Sequence, residues 1–570
     1  MLFSSILIGL SVGIAAVILK TFTHYIYLAA TELDAGGYKF SITVLPVIGI
    51  LLTIFIIRKV LKGKFTKGLS QIHHSILKNS SIIPRNQMHS QIITSSLTVG
   101  LGGSAGLEAP IVITGAAFGS NYSQTYKLNY QERTLLLACG IAAGIGAVFN
   151  APIAGVLCAL EILLLDLSIS AFTPLIIASA SGALVSNIIL HEGILLSFEE
   201  KLTFDYTNVL FYILLGILAG LVSVYHSHVY LKVEGVFQRA KFNDYTKAII
   251  GGVILGVLIF IFPPLFGEGY TSIKLLSLEN TQELMKNTIF ENQWDNEFVV
   301  LYFVGSVFLL KAIATGITLG GGGNGGNFAP SLFVGAYLGF AYSRLINWVS
   351  LGHFTLPVIN FTIVGMVGVI SGLYHAPLTG IFLIAEITGG YSLMIPLMIV
   401  SSISFAISKS LEPYPMDTVR MARKGTIPTR DKDTKILSTI NASKLIEQDF
   451  KRISFDATLG QLVEAIATSK RNIFPVLDYE NNLLGIILLD DIREIIFKNK
   501  EYDTILVKEL MTAIPAIISE SETMDGIMKK FDETGAWNLP VVDGNHKYMG
   551  FISKSRVFSS YRETLQTTTI

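Results

Sequence analysis

A single carboxylate stands in a stretch of the chain that otherwise carries no charge. Residues 102–110 read Gly-Gly-Ser-Ala-Gly-Leu-Glu-Ala-Pro, which places Glu108 between Gly106 and Pro110. Glycines let a backbone turn tightly and approach a ligand closely, and Pro110 suits the first turn of a helix that begins here. The free N–H groups at such a start carry roughly half a positive charge through the helix dipole, which suits an anion. Residues 321–330, Gly-Gly-Gly-Asn-Gly-Gly-Asn-Phe-Ala-Pro, repeat the device. Two helix starts converging near mid-membrane would bind an anion without a full positive charge, and weakly enough to release it. An ionised carboxylate at membrane depth is costly, so Glu108 is functional by default. Ionised, it would compete with an anion for the same N–H groups; protonated, it would leave the path open. The plainer alternatives are glycines that serve only close helix packing and a Glu108 that only caps a helix.

The elements that must position these residues are duplicated. An offset of 220 pairs Gly106–Pro110 with Gly326–Pro330, and also Gly115 with Gly335, Ala116 with Ala336 and Gly119 with Gly339. An offset of 225 pairs Asn150-Ala-Pro-Ile-Ala-Gly155 with His375-Ala-Pro-Leu-Thr-Gly380, and Glu161 with Glu386. Because the repeat pairs them, Glu161 and Glu386 read as structural. Short, Gly-interrupted segments at matching positions of two halves point to a transport site. The repeats are expected at about 1–225 and 245–415.

The chain is 51% hydrophobic and 15% charged, with mean hydropathy +0.56; soluble proteins average about 25% charged. Apolar stretches of membrane-helix character fall at 2–19, 41–58, 134–149, 152–166, 171–190, 208–229, 247–266, 299–316, 361–373, 377–388 and 391–408. Breaks within them must be buried in protein or line a polar cavity. Residues 2–19 read as a retained helix, since no small-residue cleavage site follows. Arg58, Lys59, Lys62, Lys64 and Lys67 mark one loop as cytoplasmic, and Arg420, Arg423, Lys424 and Arg430 another. The acidic stretch 267–297, with Glu268, Glu279, Glu283, Glu291, Asp295 and Glu297, reads as an external loop. Net charge is zero, which argues against a nucleic-acid partner. Cys139 and Cys158 lie in apolar segments and read as buried small residues, and the His73-His74 pair as a solvated loop, so no metal site is expected. No Ser/His or His-Glu-x-x-His arrangement occurs in the helices, so no enzyme is expected. A divalent-cation channel would want several acidic residues in its pore, and the breaks hold only Glu108.

From about residue 426 the composition becomes that of a soluble protein, with 426–440 a linker. Phe474-Pro-Val-Leu-Asp478 followed by Gly485-Ile-Ile recurs as Leu539-Pro-Val-Val-Asp543 followed by Gly550-Phe-Ile. Amphipathic helices near 458–469 and 522–534 precede these strand pairs, and helical stretches at 490–498 and 554–562 follow them. Two small α/β modules are expected, at 441–500 and 505–563.

These motifs together resemble the CLC family of chloride channels and chloride/proton exchangers. Gly106-Leu-Glu-Ala-Pro110 is similar to its Gly-x-Glu-Gly-Pro motif and Gly326-Asn-Phe-Ala-Pro330 to its Gly-x-Phe-x-Pro motif. Phe149–Gly155 and Pro413–Gly425 resemble two further family blocks. The resemblance covers residues 1–425. It implies a polytopic α-helical membrane protein of two inverted repeats with broken helices. It also implies a homodimer in the cell inner membrane among lipids, moving chloride or other small anions, gated by Glu108 through voltage or pH. The anion-binding positions it implies are Lys67, Gly68, Leu69, Gly106, Leu107, Asn327 and Phe328, with Tyr414 and Asp417 as two candidates for the pore tyrosine. An aspartate facing the anion would repel it unless protonated. Ile162 stands where exchangers often keep a proton-relay glutamate, which favours uncoupled conduction over antiport. The tail resembles tandem CBS domains, expected in the cytoplasm. They often bind adenine nucleotides, here through Asp491 in the first copy and Ser553 in the second. Leu488 and Arg556 depart from that pattern, leaving each site half-formed.

Overall fold

The computed structural model describes residues 1–35, 41–63, 65–161, 171–191, 203–350, 355–423 and 440–568. The chain forms two compact units, Met1–Thr426 and Ile427–Ile570.

The first unit is helical. In chain order its helices are α1 (Leu2–Ala35), α2 (Ser41–Phe55), α3 (Ser70–Lys78), α4 (Gln87–Gly100), α5 (Glu108–Thr125), α6 (Tyr130–Phe149), α7 (Pro152–Glu161), α8 (Phe172–Leu190), α9 (Val209–Arg239), α10 (Asp244–Ile261), α11 (Tyr270–Ser277), α12 (Thr281–Met285), α13 (Glu297–Gly320), α14 (Phe328–Val349), α15 (Val358–Tyr374), α16 (Pro377–Ile387), α17 (Met394–Leu411) and α18 (Met416–Arg423). Among the described residues, eight helices are long and apolar enough to cross a membrane.

The duplication is visible in the packing. α1 lies against α4, α6 and α8, as α9 lies against α13, α15 and α17; α2 packs on α10; α5 packs on α6 as α14 does on α15. The second repeat is thus headed by α9, earlier than the motif offsets of 220 and 225 indicate: Gly9, Gly13 and Val17 of α1 recur as Gly216, Gly220 and Val224 of α9 at a different offset, 207. Equivalent helices end alike. α6 stops at Asn150 and α15 at His375, both in the left-handed region with φ 53° and 54°. A proline then opens the short helices α7 and α16. Close crossing requires small residues. A Cβ on Gly119 would collide with the Leu136 carbonyl of α6, and one on Gly339 with the Phe361 carbonyl of α15.

α4, α5 and α14 do not stand out by hydropathy, yet most of their residues are buried. They are surrounded by protein rather than lipid, so Ser, Thr, Gly and Ala replace leucine-rich faces. The 267–297 stretch, expected as a loop, folds in part into α11 and α12.

The second unit holds two three-stranded sheets. β1 (Ile453–Ser454) runs parallel to β2 (Ile473–Leu477), which pairs antiparallel with β3 (Leu483–Leu488). β4 (Ile518–Ser519), β5 (Asn538–Val542) and β6 (Tyr548–Ser553) repeat this order. Helices Leu459–Thr468 and Met524–Thr534 open with threonine N-caps at Thr458 and Thr523. The stretch after β3 is one helical turn, Leu489–Ile492. It then tightens into three-residue turns, with Ile495 N–H bonded to the Ile492 carbonyl and Lys498 N–H to that of Ile495. The modules exchange their leading segments: Glu447 pairs with Phe551 of β6, and Thr512 with Ile486 of β3. The repeated glycines sit at these crossings. A Cβ on Gly550 would lie 2.5 Å from the Glu447 carbonyl oxygen, and one on Gly485 3.0 Å from that of Thr512.

Candidate functional site: two paired helix breaks and the cavity beside them

The two breaks meet each other. Gly106 N–H donates to the Gly326 carbonyl at 2.8 Å, and Gly326 N–H to the Gly106 carbonyl at 2.8 Å. A second exchange supports the first: Ser104 N–H donates to Thr318 Oγ1 at 3.1 Å and Asn324 N–H to Thr98 Oγ1 at 2.9 Å. All four residues obey the offset of 220. Each loop turns through a left-handed glycine at matched positions, Gly102 with φ 93° and Gly322 with φ 119°, a conformation that a side chain disfavours. The Asn324 amide is also held by α4, donating to Gln91 Oε1 at 2.9 Å and Thr94 Oγ1 at 2.8 Å. Irregular backbone at membrane depth is thereby satisfied within the protein.

Glu108 begins α5 and is 1% exposed. Its Oε1 accepts the Tyr270 hydroxyl at 2.7 Å, and its Oε2 accepts the Ala329 N–H at the start of α14 at 3.3 Å. The carboxylate therefore lies on the other repeat's helix N-terminus. Gly106 makes room for it, since a Cβ there would collide with Glu108 Oε2. A second carboxylate stands close by: Glu268 Oε1 accepts the Leu107 N–H at 3.2 Å. Gly267, the residue before it, accepts from the buried Lys311 at 3.1 Å, and that ammonium sits 4.5 Å from the Phe333 ring centroid.

Below Glu108 lies a cavity of about 370 Å³ lined by Lys67, Gly68, Leu69, Asn327, Phe328 and Asp417 among others. Asn327 and Phe328 carry backbone N–H groups with no acceptor among the described residues. Lys67 Nζ donates to the carbonyls of Gly322 at 2.5 Å and Gly323 at 2.8 Å, which ties it to the second break. Gly106 and Leu107 do not line this cavity; their N–H groups are taken by Gly326 and Glu268. Of the two pore-tyrosine candidates, Asp417 faces the cavity. Tyr414 lies off it, 40% exposed on the bend before α18. Two tyrosines line the cavity, Tyr230 of α9 and Tyr374 at the end of α15, the latter with its ring 5.4 Å from Phe328.

Sequence reasoning missed Tyr374, Tyr270 and Glu268. Tyr374 was findable: the offset of 225 pairs it with Phe149, whose ring packs 5.9 Å from the other side of Phe328. Tyr270 and Glu268 gave no such signal, because their segment returns to Glu108 only through the fold. Ile162 lies outside the described residues.

This architecture has known counterparts. The family model for voltage gated chloride channels matches residues 47–409. The chain belongs to the voltage-gated chloride channel (CLC) family. Its tail matches the CBS domain model twice, over 442–498 and 507–563. A putative chloride channel protein, ClcB-like, of Ralstonia nicotianae is 28% identical over 62% of this chain and 79% of its own length. The voltage-gated ClC-type chloride channel ClcB of an Escherichia coli strain is 29% identical over 56% of this chain and 72% of its own. Among solved structures, a slow cyanobacterial Cl⁻/H⁺ antiporter superposes with TM-score 0.64 at 21% identity, covering 74% of this chain and 97% of that one. A CLC-type fluoride/proton antiporter gives 0.60 at 22%, covering 73% and 96%. A eukaryotic CLC transporter gives 0.63 at 18% and covers 97% of both chains. At these identities the structures establish the CLC fold, a multi-span membrane fold, and the CBS pair rests on its own family match.

Glu161 and Glu386 exchange caps. Glu161 accepts from the N–H groups of Leu378 and Thr379 at 3.1 and 2.7 Å, at the start of α16. Glu386 accepts from Ile153 and Ala154 at 3.0 and 2.8 Å, at the start of α7. In the CBS pair, Asp491 is exposed, and the Ser553 hydroxyl accepts the Arg556 N–H at 3.1 Å as a helix cap. The hydroxyl is thus engaged in one module and replaced by Leu488 in the other. These residues do not fit a complete adenine-nucleotide site.

Proposed function

We propose that this CLC protein moves chloride or a related small anion across the membrane, with no chemical step, and that Glu108 is the gate. The observation that carries the reading is the Glu108 carboxylate lying on the Ala329 N–H, at the head of a helix whose next free N–H groups belong to cavity-lining residues. An ionised carboxylate there takes the anion's place; a neutral one gives it up. Two copies of the chain, each with its own path, would sit in the inner-membrane lipid with the CBS pair on the cytoplasmic side. Purified protein in liposomes should release chloride when a potassium ionophore is supplied. Glu108→Gln should raise that flux at neutral pH and remove the part of its pH response that Glu108 gives. Liposomes that release neither chloride, bromide, nitrate nor fluoride would refute the reading.

Proton-coupled antiport on the same path is the second reading. Asp417 favours it, by placing another protonatable group in the cavity that Glu108 closes. Uphill proton movement driven by a chloride gradient distinguishes antiport from passive conduction.

A further inference from the structure

Asp417 stands in the first turn of α18 and lines the cavity below Glu108. Its Oδ2 is buried and has no hydrogen-bond partner among the described residues. A buried carboxylate oxygen is normally paired, because desolvating it without a donor is costly.

The cations near it are held by other groups. Arg420, three residues along α18, forms an ion pair with Glu234 of α9 at 2.7 Å, although the geometry at its Nη2 is not that of a hydrogen bond. Lys67 is bonded to the Gly322 and Gly323 carbonyls. The remaining titratable groups on the cavity wall are Tyr230 of α9, Cys158 of α7 and Tyr374 of α15, and none of them supplies a positive charge. α3 packs on α18, but its His73 lies near the Leu69 carbonyl, at 3.3 Å, and does not line the cavity.

With all carboxyls ionised, Lys67 and Arg420 face Glu108, Glu234 and Asp417, and the wall is net negative. An anion entering then meets repulsion in a poorly screened space. With Glu108 and Asp417 both neutral, the same wall is net positive by one charge, which one monovalent anion balances. Protonation also changes what Asp417 offers, from an acceptor that repels the anion to an O–H that can donate to it.

We infer that Asp417 is a second proton-binding group of the anion path, and that it must be protonated for a small anion to occupy the cavity. The inference rests on the reading of Glu108 as the gate and adds a separate requirement below it. Anion occupancy is then linked to proton uptake from the water on the side to which the cavity opens. The position does the work of a proton site although Ile162 carries none.

The test uses full-length protein in liposomes, with the pH of each side varied in turn. Wild-type chloride flux should fall by about tenfold per pH unit on one side as Asp417 ionises. Asp417→Asn and Asp417→Ser should both be flat against pH on that side while keeping the response that Glu108 gives. If either variant elutes as a single species and keeps the wild-type profile on both sides, the inference is overturned. A second measurement needs no change at Asp417. Chloride binding to Glu108→Gln, measured by calorimetry in buffers of different ionisation enthalpy, should take up about one proton per anion above the carboxylate range. No proton uptake overturns the inference even if both Asp417 variants misfold. A wild-type protein that passes no anion would instead overturn the anion-transport reading.

Discussion

In the first break Ser104 gives its N–H to Thr318 and Gly106 pairs with Gly326; in the second, Asn324 gives its N–H to Thr98 and the same glycine pair is read from the other side. The backbones of the two breaks are therefore exchanged across a local twofold relation. Their side chains are not. Where the first helix starts with Glu108, the second starts with Phe328, held between Phe149 and Tyr374 with ring separations of 5.9 and 5.4 Å. The contrast separates two jobs. The symmetric part, made of glycines and threonine hydroxyls, keeps irregular backbone satisfied away from water. On the proposed reading the asymmetric part would decide what passes: a titratable group that can occupy the neighbouring helix start, and an aromatic that cannot.

The largest expected effect breaks the asymmetry at its charged end. Glu108→Gln should raise chloride flux at neutral pH on the order of tenfold, since about 1.4 kcal/mol of competition by the carboxylate corresponds to that factor. Phe328→Ala is the matched change in the second break. It should leave the pH response of flux in place while lowering thermal stability in detergent by about 3–5 kcal/mol. A Phe328→Ala protein that also loses its pH response would show that gating does not reside in the first break alone.

A smaller effect sharpens the account of how Glu108 is held. The Tyr270 hydroxyl donates to its Oε1 at 2.7 Å, and a bond to a charged group contributes about 1.5–3 kcal/mol. Tyr270→Phe withdraws a donor that favours the ionised carboxylate, so the carboxylate should protonate more readily. The midpoint of the flux-against-pH curve should move to higher pH by about one unit or more. A midpoint that moves to lower pH would mean that Tyr270 serves the neutral form.

The breaks, the duplication and Glu108 were legible because each depends on residues near in sequence or repeated at a fixed offset. The Gly-Ile-Ile and Gly-Phe-Ile blocks of the tail were legible for the same reason, and their glycines proved to mark the strand exchange. What stayed hidden was set by tertiary surroundings. Hydropathy finds helices that face lipid, so α4, with Gln91, Thr94 and Thr98 turned inward, gave little signal. Glu268 and Tyr270 looked like part of an acidic loop because nothing local says that the Gly267–Gly269 turn returns to Glu108. The choice between Tyr414 and Asp417 depended on where the first turn of α18 begins, which spacing alone does not fix.

The smallest effects test whether the shared backbone is as symmetric as it looks. Thr318→Val removes the acceptor for the Ser104 N–H, and Thr98→Val the acceptor for the Asn324 N–H. Each leaves a buried donor unpaired, at a cost of about 1–3 kcal/mol. The two threonines are not equally embedded. Among the described residues, Thr318 Oγ1 otherwise bonds only the Ala314 carbonyl of its own helix, at 2.8 Å. Thr98 Oγ1 also meets Thr53 Oγ1 of α2 at 2.8 Å, so its loss removes a contact of a second buried hydroxyl as well. Thermal unfolding in detergent should therefore place Thr98→Val below Thr318→Val, with both below wild type. Neither should alter the pH midpoint of flux, since neither touches Glu108. Equal stabilities for the two variants would mean that the bond Thr53 already makes to the Thr94 carbonyl, at 3.1 Å, satisfies its hydroxyl without Thr98. A shifted pH midpoint in either would mean that the shared backbone also sets the gate, and the division of labour between the breaks would fail.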